Sequence, residues 1–218
     1  MSNFIIIANG DVSASEIPIP SDTTLIAADG GARHCLKLGI SPHIVIGDFD
    51  SLTAAELTQL VKGGARLIHH AADKNETDLE LALDFALQSG GKQVTLYGLL
   101  GKRWDMSFAN LHLLASPRFH PLQFRVLEEC TEIFTLRGGH SLTLHGAPGE
   151  IVSVIPLTPE ARGITYQGLE WPLENATLHF GAPRGVTNKL VSCEATISLQ
   201  EGMVLIMILR CGHNTECT

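Results

Sequence analysis

The chain has 218 residues, of which 44% are hydrophobic and 17% charged, and this composition is typical of a globular protein with a sizeable core. Its formal net charge of −8 argues against non-specific binding to nucleic acid or to an anionic membrane, because such binding needs basic surfaces. The longest apolar stretch, Met203 to Leu209, is too short to cross a bilayer.

The N-terminal residues and the cysteines predict a cytoplasmic protein. The first residues lack the basic region and the cleavage pattern of a signal peptide. The cysteines are odd in number and contain no C-x-x-C pair, so we expect free thiols in a reducing compartment. They are Cys35, Cys130, Cys193, Cys211 and Cys217.

The first part of the chain alternates short apolar runs with helical patterns. Continuous rather than alternating hydrophobicity indicates strands covered on both faces, as in a parallel α/β sheet. The segments from Thr53 to Glu56 and from Thr77 to Glu80 read as capping boxes that start helices. The predicted strands are Phe4–Ala8, Leu25–Ala28, Ile44–Ile46, Leu67–His69, Val94–Tyr97 and Phe124–Leu127.

After about residue 131 the pattern changes to short alternating runs broken by Gly and Pro, which predicts an antiparallel sandwich or barrel without helices. We therefore expect an α/β domain over residues 1–131 and an all-β domain over residues 132–218. The strands predicted in the second domain are Ser141–His145, Ile151–Leu157, Ile164–Gln167, Ala176–Phe180, Leu190–Leu199 and Met203–Arg210.

Acidic residues follow nearly every predicted strand of the first domain. The carboxyl ends of strands in an open parallel sheet line one crevice where ligands bind. Several acids gathered there would repel one another unless a cation lay among them. The residues concerned are Asp11, Asp29, Asp48, Asp50, Asp73, Asp78 and Asp105.

The segment Gly47-Asp48-Phe49-Asp50-Ser51 carries the strongest metal signal. In an extended segment Asp48 and Asp50 project to the same side, and two carboxylates on one side suit Mg²⁺. The alternative is that both aspartates only cap the following helix, since Asp and Ser are frequent in turns and caps.

Two basic segments are candidates for phosphate binding. Lys74 lies near a helix N-terminus, where a cation is unfavourable unless it faces an anion. The backbone N–H groups of the turn from Gly98 to Asp105, together with Arg103, could hold a polyphosphate, although the turn is neither a P-loop nor a dinucleotide motif. Helix-terminal acids such as Asp78 are also explained by the helix dipole alone.

In their order along the chain, these segments resemble the thiamine pyrophosphokinase family over nearly the whole length. The matching pieces are Ala28-Asp29-Gly30-Gly31-Ala32, Ile46 to Ser51, Asp73 to Asp78, Gly98 to Asp105, Gly168 to Leu173 and Arg184-Gly185-Val186-Thr187-Asn188. Each motif is modestly specific, and six in the right order are strongly so.

The resemblance implies a Rossmann-like α/β domain followed by a β-sandwich, and a homodimer with sites at the subunit interface. It implies an enzyme of thiamine diphosphate biosynthesis that moves the pyrophosphoryl group of ATP onto the hydroxyl of thiamine and releases AMP. The implied Mg²⁺ ligands are Asp48, Asp50 and Asp78. The implied nucleotide contacts are Asp29, Lys74, Thr77 and Arg103, with Asp105 beside the reacting centre. Lys102, the second cation of the same turn, is a further candidate for nucleotide binding. The implied thiamine contacts are Trp171, Thr187 and Asn188.

Three positions depart from the family pattern: Met106 stands where histidine is common, Lys102 where glycine is common, and Asn75 where aspartate is common. For thiamine, Trp171 offers a ring face to the thiazolium cation, and Asn188 can donate to and accept from an aminopyrimidine. The candidates for accepting the hydroxyl proton are Asp105 and Asp50.

Two other functions share parts of this pattern. Another Mg²⁺ enzyme, such as a phosphohydrolase or nucleotidyltransferase, would have the acids but would not release AMP in response to thiamine. A non-catalytic protein that senses thiamine or a nucleotide would not need three clustered aspartates.

Overall fold

The computed structural model describes residues 2–210, and the chain divides between residues 129 and 130 into two compact units. The helices of the described residues all lie in the first unit. None of them is long and apolar enough to span a membrane.

The first unit contains a parallel sheet of six strands, which confirms the predicted sheet type. Its strands are β1 (Ser2–Ile7), β2 (Thr23–Ala28), β3 (Ile44–Gly47), β4 (Arg66–His69), β5 (Gly91–Tyr97) and β6 (Gln123–Glu128). Neighbouring strands pair in the order β4-β3-β2-β1-β5-β6, all parallel. The order reverses at β1, so the crevice between the carboxyl ends of β1 and β5 is the expected ligand site of such a sheet.

Four α-helices connect these strands: α1 (Gly31–Leu38), α2 (Ala54–Lys62), α3 (Asp78–Gln88) and α4 (Trp104–Leu113), with a 3₁₀ turn at Pro117–Phe119. The predicted capping box at Thr53 and Glu56 is complete. The one predicted at Thr77 is only half formed. Thr77 accepts from the backbone N–H of Glu80, but the Glu80 carboxylate pairs with Arg118 at 3.4 Å instead of reaching back.

The second unit is an antiparallel β-sandwich, as predicted. Its strands are β7 (Thr131–Arg137), β8 (His140–His145), β9 (Ile151–Pro156), β10 (Glu160–Gln167), β11 (Ala176–His179), β12 (Asn188–Lys189), β13 (Glu194–Leu199) and β14 (Met203–Leu209). One sheet has the order β7-β14-β9-β12 and the other the order β8-β13-β10-β11. Inward-facing residues such as Val154, Ile197 and Ile206 form the core between them.

Two details of the second unit differ from the sequence prediction. The segment Thr131–Arg137 is not among the strands predicted from the sequence, but it forms β7, which pairs with β14 over its whole length. The predicted strand Leu190–Leu199 begins only at Glu194, because residues 190 and 191 pair with the loop around Gly168 instead.

The prediction of free thiols holds in part. Cys35 and Cys130 are reduced, whereas Cys193 is disulfide-bonded, so the prediction is wrong for that residue. The spacing of cysteines along a chain does not tell which of them the fold brings together. Cys211 and Cys217 lie outside the described residues.

Candidate active site

Three aspartates from the ends of two adjacent strands form an acidic cluster. Asp29 follows β2, and Asp48 and Asp50 follow β3. One carboxylate oxygen from each lies within 4.8 Å of the other two, which is the spacing of ligands around one metal ion. The expectation that acids from separate loops converge at the carboxyl edge of the sheet is confirmed for these three residues.

Asp29 is the buried member of the acidic cluster. Its side chain is 4% exposed, and among residues 2–210 no group donates a hydrogen bond to its Oδ1 atom. The backbone at Asp29 has a φ of 40°, and a Cβ added at Gly47 would lie 2.8 Å from the Cβ of Asp29. The fold therefore packs other atoms closely around the Asp29 carboxylate, while one of its oxygens has no hydrogen-bond donor among residues 2–210. A bound cation would satisfy that oxygen.

The segment from Asp48 to Asp50 is a turn rather than the extended stretch that we expected. Phe49 has a φ of 65°, and the backbone N–H of Asp50 donates to Asp48 Oδ1 at 3.1 Å. Phe49 packs on the core of the first unit and against the ring of His69, 5.6 Å away between centroids. Both carboxylates still belong to the acidic cluster, while the partly buried ring of Phe49 between them packs on the core.

The alternative that these aspartates only cap the next helix does not hold. Helix α2 is capped by Thr53, whose hydroxyl accepts from the N–H of Glu56 at 3.3 Å. Asp48 and Asp50 are therefore not needed to start the helix.

Lys74 joins the acidic cluster to Asp78. Its Nζ atom lies 2.9 Å from Asp78 Oδ1 and 3.7 Å from Asp48 Oδ2, and its side chain is 13% exposed. Burial alone would lower the pKa of Lys74, but the contacts with Asp78 and Asp48 raise it. The backbone N–H of Asp50 and the charge of Lys74 lower the pKa of Asp48, which keeps that carboxylate ionised.

This arrangement changes two predictions. The close group of three acids contains Asp29 in place of Asp78, whose carboxylate is engaged by the lysine. Lys74 was expected to face a phosphate because a cation at a helix N-terminus is unfavourable by itself. Its two aspartate partners, Asp48 and Asp78, account for its position without a phosphate.

A cavity of about 340 Å³ lies beside the acidic cluster, at the switch point between β1 and β5. Asp29 belongs to both the cluster and the cavity wall. Sequence analysis missed three polar residues there, Asn9, Ser107 and Asn110. Asn9 comes two residues after the end of β1, and this position at the carboxyl end of a strand could have identified it from the sequence. The predicted residues in the wall are Asp11, Asp29, Thr77, Asp78, Lys102, Arg103 and Met106.

The turn after β5 forms one side of this cavity, but its backbone is held by the protein itself. Glu128 accepts from the N–H groups of Leu99 and Leu100 at 3.0 and 3.1 Å, and Ser107 accepts from that of Gly101 at 3.0 Å. The expectation that the N–H groups of this turn hold a polyphosphate is therefore wrong for Leu99, Leu100 and Gly101, and it stays a prediction for the rest of the turn.

Glu128 was also missed by the sequence analysis, although it ends β6 at the same carboxyl edge as the other acids. Burial raises its pKa from the ordinary 4.5 to about 7, although the two backbone N–H groups work in the opposite direction. The carboxylate fixes the turn that carries Lys102 and Arg103.

Arg103 and Asp105 form an exposed bidentate ion pair at the start of α4. Nε and one terminal nitrogen of Arg103 lie 2.9 and 2.6 Å from the two Asp105 oxygens. The hydrogen bonds from Arg103 lower the pKa of Asp105 to about 2. A carboxylate with so low a pKa is a weak base, so the structure argues against Asp105 as the proton acceptor.

The residues predicted to contact thiamine lie together in the second unit. The segments around Trp171 and Asn188 run side by side, with the N–H of Glu170 donating to the carbonyl of Lys189 at 2.9 Å. Trp171 is 53% exposed, and the Lys189 ammonium lies 5.9 Å from its ring centroid. Thr187 has a φ of 66°, which is strained for a β-branched residue and typical of functional sites.

Comparison with known proteins gives the same family for both units. Residues 19–126 match the family model described as thiamin pyrophosphokinase, catalytic domain, and residues 139–204 match the one described as thiamin pyrophosphokinase, vitamin B1 binding domain. A thiamine pyrophosphokinase of Bacillus subtilis is 30% identical over 85% of this chain and 86% of its own length. One from Oryza sativa is 24% identical over 85% of this chain and 78% of its own length. The crystal structure of the Bacillus subtilis protein superimposes with a TM-score of 0.84 and 25% identity, covering 97% of this chain and all of that one.

Proposed function

Since the chain belongs to the thiamin pyrophosphokinase family, we propose that its acidic cluster binds Mg²⁺ and the polyphosphate of ATP. The chain is a transferase that moves the pyrophosphoryl group of ATP onto the hydroxyl of thiamine, giving thiamine diphosphate and AMP. What remains to be assigned is which residues carry out which part of this reaction.

The metal site is supported by the buried carboxylate of Asp29, which places one oxygen within 4.8 Å of carboxylate oxygens of Asp48 and Asp50 and whose Oδ1 has no hydrogen-bond partner among residues 2–210. Mg²⁺ is typically held by one or two carboxylates and keeps its other positions for water and phosphate. Three oxygens at this spacing suit it, and the negative cluster would repel ATP without it. When bound, the ion would neutralise charge on the transferred phosphoryl groups.

The cavity beside the acidic cluster is our proposed ATP site. Its volume of about 340 Å³ falls in the range of small-molecule pockets, although near the lower end. Lys102 and Arg103 supply positive charge on its wall, which also includes Thr77 at the start of α3. We assign Lys74 to holding Asp48 and Asp78 in place, through the contacts described above.

For the transfer, the attacking hydroxyl oxygen bonds to the β-phosphorus while the bond to the AMP oxygen breaks, so the two oxygens must lie in line. Positioning and charge neutralisation supply most of the acceleration in such reactions. Of the two aspartates considered as proton acceptors, Asp105 is disfavoured by its pKa of about 2, which leaves Asp50. Asp105 then serves to orient Arg103.

We assign thiamine recognition to the second unit and the chemistry of ATP to the first. Trp171 presents an exposed ring, although the Lys189 ammonium already lies over it. A thiazolium cation would therefore stack on the opposite face or displace the lysine, and a cation–π contact would contribute about 0.5–2 kcal/mol. Thr187, which comes directly before Asn188 in the paired segment, is the second proposed contact.

From the resemblance we also propose that the chain is a cytoplasmic homodimer with its sites at the subunit interface. Light scattering of the purified chain measures the mass directly. A mass of one chain at the concentrations used for assays would reject the dimer.

The assay that tests the proposed function measures AMP and thiamine diphosphate formed from ATP, with and without thiamine and with Mg²⁺ varied. We expect AMP to appear only when thiamine and a divalent ion are both present. Release of inorganic phosphate without thiamine would indicate a phosphohydrolase instead. Asp48→Asn should abolish turnover, and retained turnover in that variant would refute the metal assignment.

A further inference from the structure

The side chain of Asn188 is almost completely buried in the second unit and is bonded to the backbone of Trp171. It is 5% exposed. Its Oδ1 accepts from the N–H of Trp171 at 3.0 Å, and its Nδ2 donates to the carbonyl of the same residue at 2.7 Å. The amide thus pairs with both polar groups of one residue, as a neighbouring strand would do.

These contacts use most of the bonding capacity of the Asn188 amide. An amide oxygen accepts two hydrogen bonds, and the second one here comes from the N–H of Lys189 at 2.9 Å. The reverse orientation of the amide is excluded, because it would place the NH₂ group against two N–H donors. No acceptor position is left for the amino group of an aminopyrimidine.

Trp171, in contrast, has a large exposed ring on a short loop. Backbone pairing on this side includes the bond from Glu170 to the Lys189 carbonyl, one residue before Trp171. The bonds from Asn188 are thus what ties the backbone of Trp171 itself to β12. The position of the Trp171 ring therefore depends on these two hydrogen bonds.

We propose that Asn188 is a positioning residue for thiamine binding, which acts by fixing Trp171 and not by contacting thiamine. This rests on the proposed function, in which Trp171 stacks on thiamine. The motif that carries Asn188 then contributes to substrate affinity through the backbone of another loop.

The kinetic test is a double-mutant cycle between the two residues. Losing two hydrogen bonds of ordinary strength corresponds to a rise of about 5- to 30-fold in the KM for thiamine of Asn188→Ala, with the KM for ATP unchanged. In a Trp171→Ala background the same substitution should change the thiamine KM by less than about twofold. Asn188→Asp keeps the volume of the side chain but replaces the donor to the Trp171 carbonyl by an acceptor, and it should also raise the thiamine KM.

A spectroscopic test reports the position of Trp171 without any substrate. The chain has two tryptophans, so a Trp104→Phe background leaves Trp171 as the single tryptophan, which can be excited at wavelengths where the two tyrosines do not absorb. In that background we expect Asn188→Ala and Asn188→Asp to lower the fluorescence anisotropy of Trp171 and to increase its quenching by acrylamide. Circular dichroism of the same samples checks that the sandwich is intact.

The outcomes separate this proposal from the proposed function. Equal factors for Asn188→Ala with and without Trp171 would mean that Asn188 contacts thiamine itself, and unchanged anisotropy would mean that it does not fix the ring. Either result overturns the proposal. An unchanged thiamine KM in Trp171→Ala, with lowered anisotropy in Asn188→Ala, would instead refute the role of Trp171 while supporting the contact between the two residues.

Discussion

Replacing Asp29 by asparagine removes the charge of the buried carboxylate while keeping its shape. Asparagine tolerates the positive φ of 40° at this position as well as aspartate does, so the backbone gains no strain. The substitution therefore tests one property, a buried charge with an oxygen that lacks a partner among residues 2–210. The account predicts opposite effects on stability and on activity.

The expected magnitudes follow from the burial of Asp29. Asparagine remains a buried polar side chain, but it removes the charge of Asp29 and its repulsion from Asp48 and Asp50, a relief that we put at about 1–3 kcal/mol. The metal-free Asp29→Asn variant should thus be more stable than the wild type by about that amount, or roughly 2–4 °C in Tm per kcal/mol for a chain of this size. Its turnover with Mg²⁺ and ATP should fall by at least about a hundredfold, because a metal ligand is lost.

The assay is thermal unfolding in EDTA and in Mg²⁺ with a non-hydrolysable ATP analogue. The matched control is Asp84→Asn, since Asp84 is also buried but has a partner, Arg118, at 2.5 Å. Burial raises the pKa of Asp84 and its ion pair with the half-exposed Arg118 works in the opposite direction, so that variant should change in stability by less than about 1 kcal/mol and keep its stabilisation by the metal complex. A lower metal-free Tm for Asp29→Asn, or an unchanged gain in Tm with Mg²⁺, would refute the reasoning.

Three further predictions concern the surroundings of the acidic cluster. Lys74→Met should destabilise the chain by about 1–3 kcal/mol in EDTA, because Asp48 and Asp78 then face each other without a cation. Mg²⁺ should restore part of this loss. Equal Tm values for the variant and the wild type in EDTA would contradict the prediction. Glu128 has a pKa raised from 4.5 to about 7 in the folded chain, so its contribution to stability falls as the pH rises through this window. Denaturation in urea at several pH values measures this effect. Between pH 4.5 and 7 the free energy of unfolding of Glu128→Gln should rise relative to that of the wild type by about 1–2 kcal/mol, after allowance for solvent screening. Equal pH dependence of the two free energies would contradict the prediction. Gly47→Ala would place a methyl group 2.8 Å from the side chain of the buried aspartate, so activity should fall more than tenfold while circular dichroism stays unchanged, and full activity would disprove the crowding.

The convergence of the aspartates was predictable from the sequence because it follows from topology. Residues that come directly after parallel strands meet at one edge of the sheet whatever their loops do in detail. Asp29 and Asp48 follow β2 and β3, which are paired neighbours, so their proximity follows from the strand order. The β-sandwich of the second unit was also predictable, because the alternation of apolar and polar residues along a strand is a local property of the sequence.

The partners of individual side chains were not predictable in this way. The sequence did not show Asp48 as a partner of Lys74, because Asp48 lies in another loop. The N–H groups of the turn after β5 looked available because Glu128, which accepts two of them, lies about thirty residues further along the chain. Contacts between distant loops depend on the conformation of each loop and the direction of each side chain, and hydrophobic periodicity gives only the helices and strands.

The most direct test of the metal site is an anomalous difference map from crystals of the chain grown with Mn²⁺ and a non-hydrolysable ATP analogue. The account predicts a peak within about 2.5 Å of carboxylate oxygens from Asp29, Asp48 and Asp50, in contact with the bound polyphosphate. A metal held by the phosphates alone, or by acids outside this cluster, would contradict it.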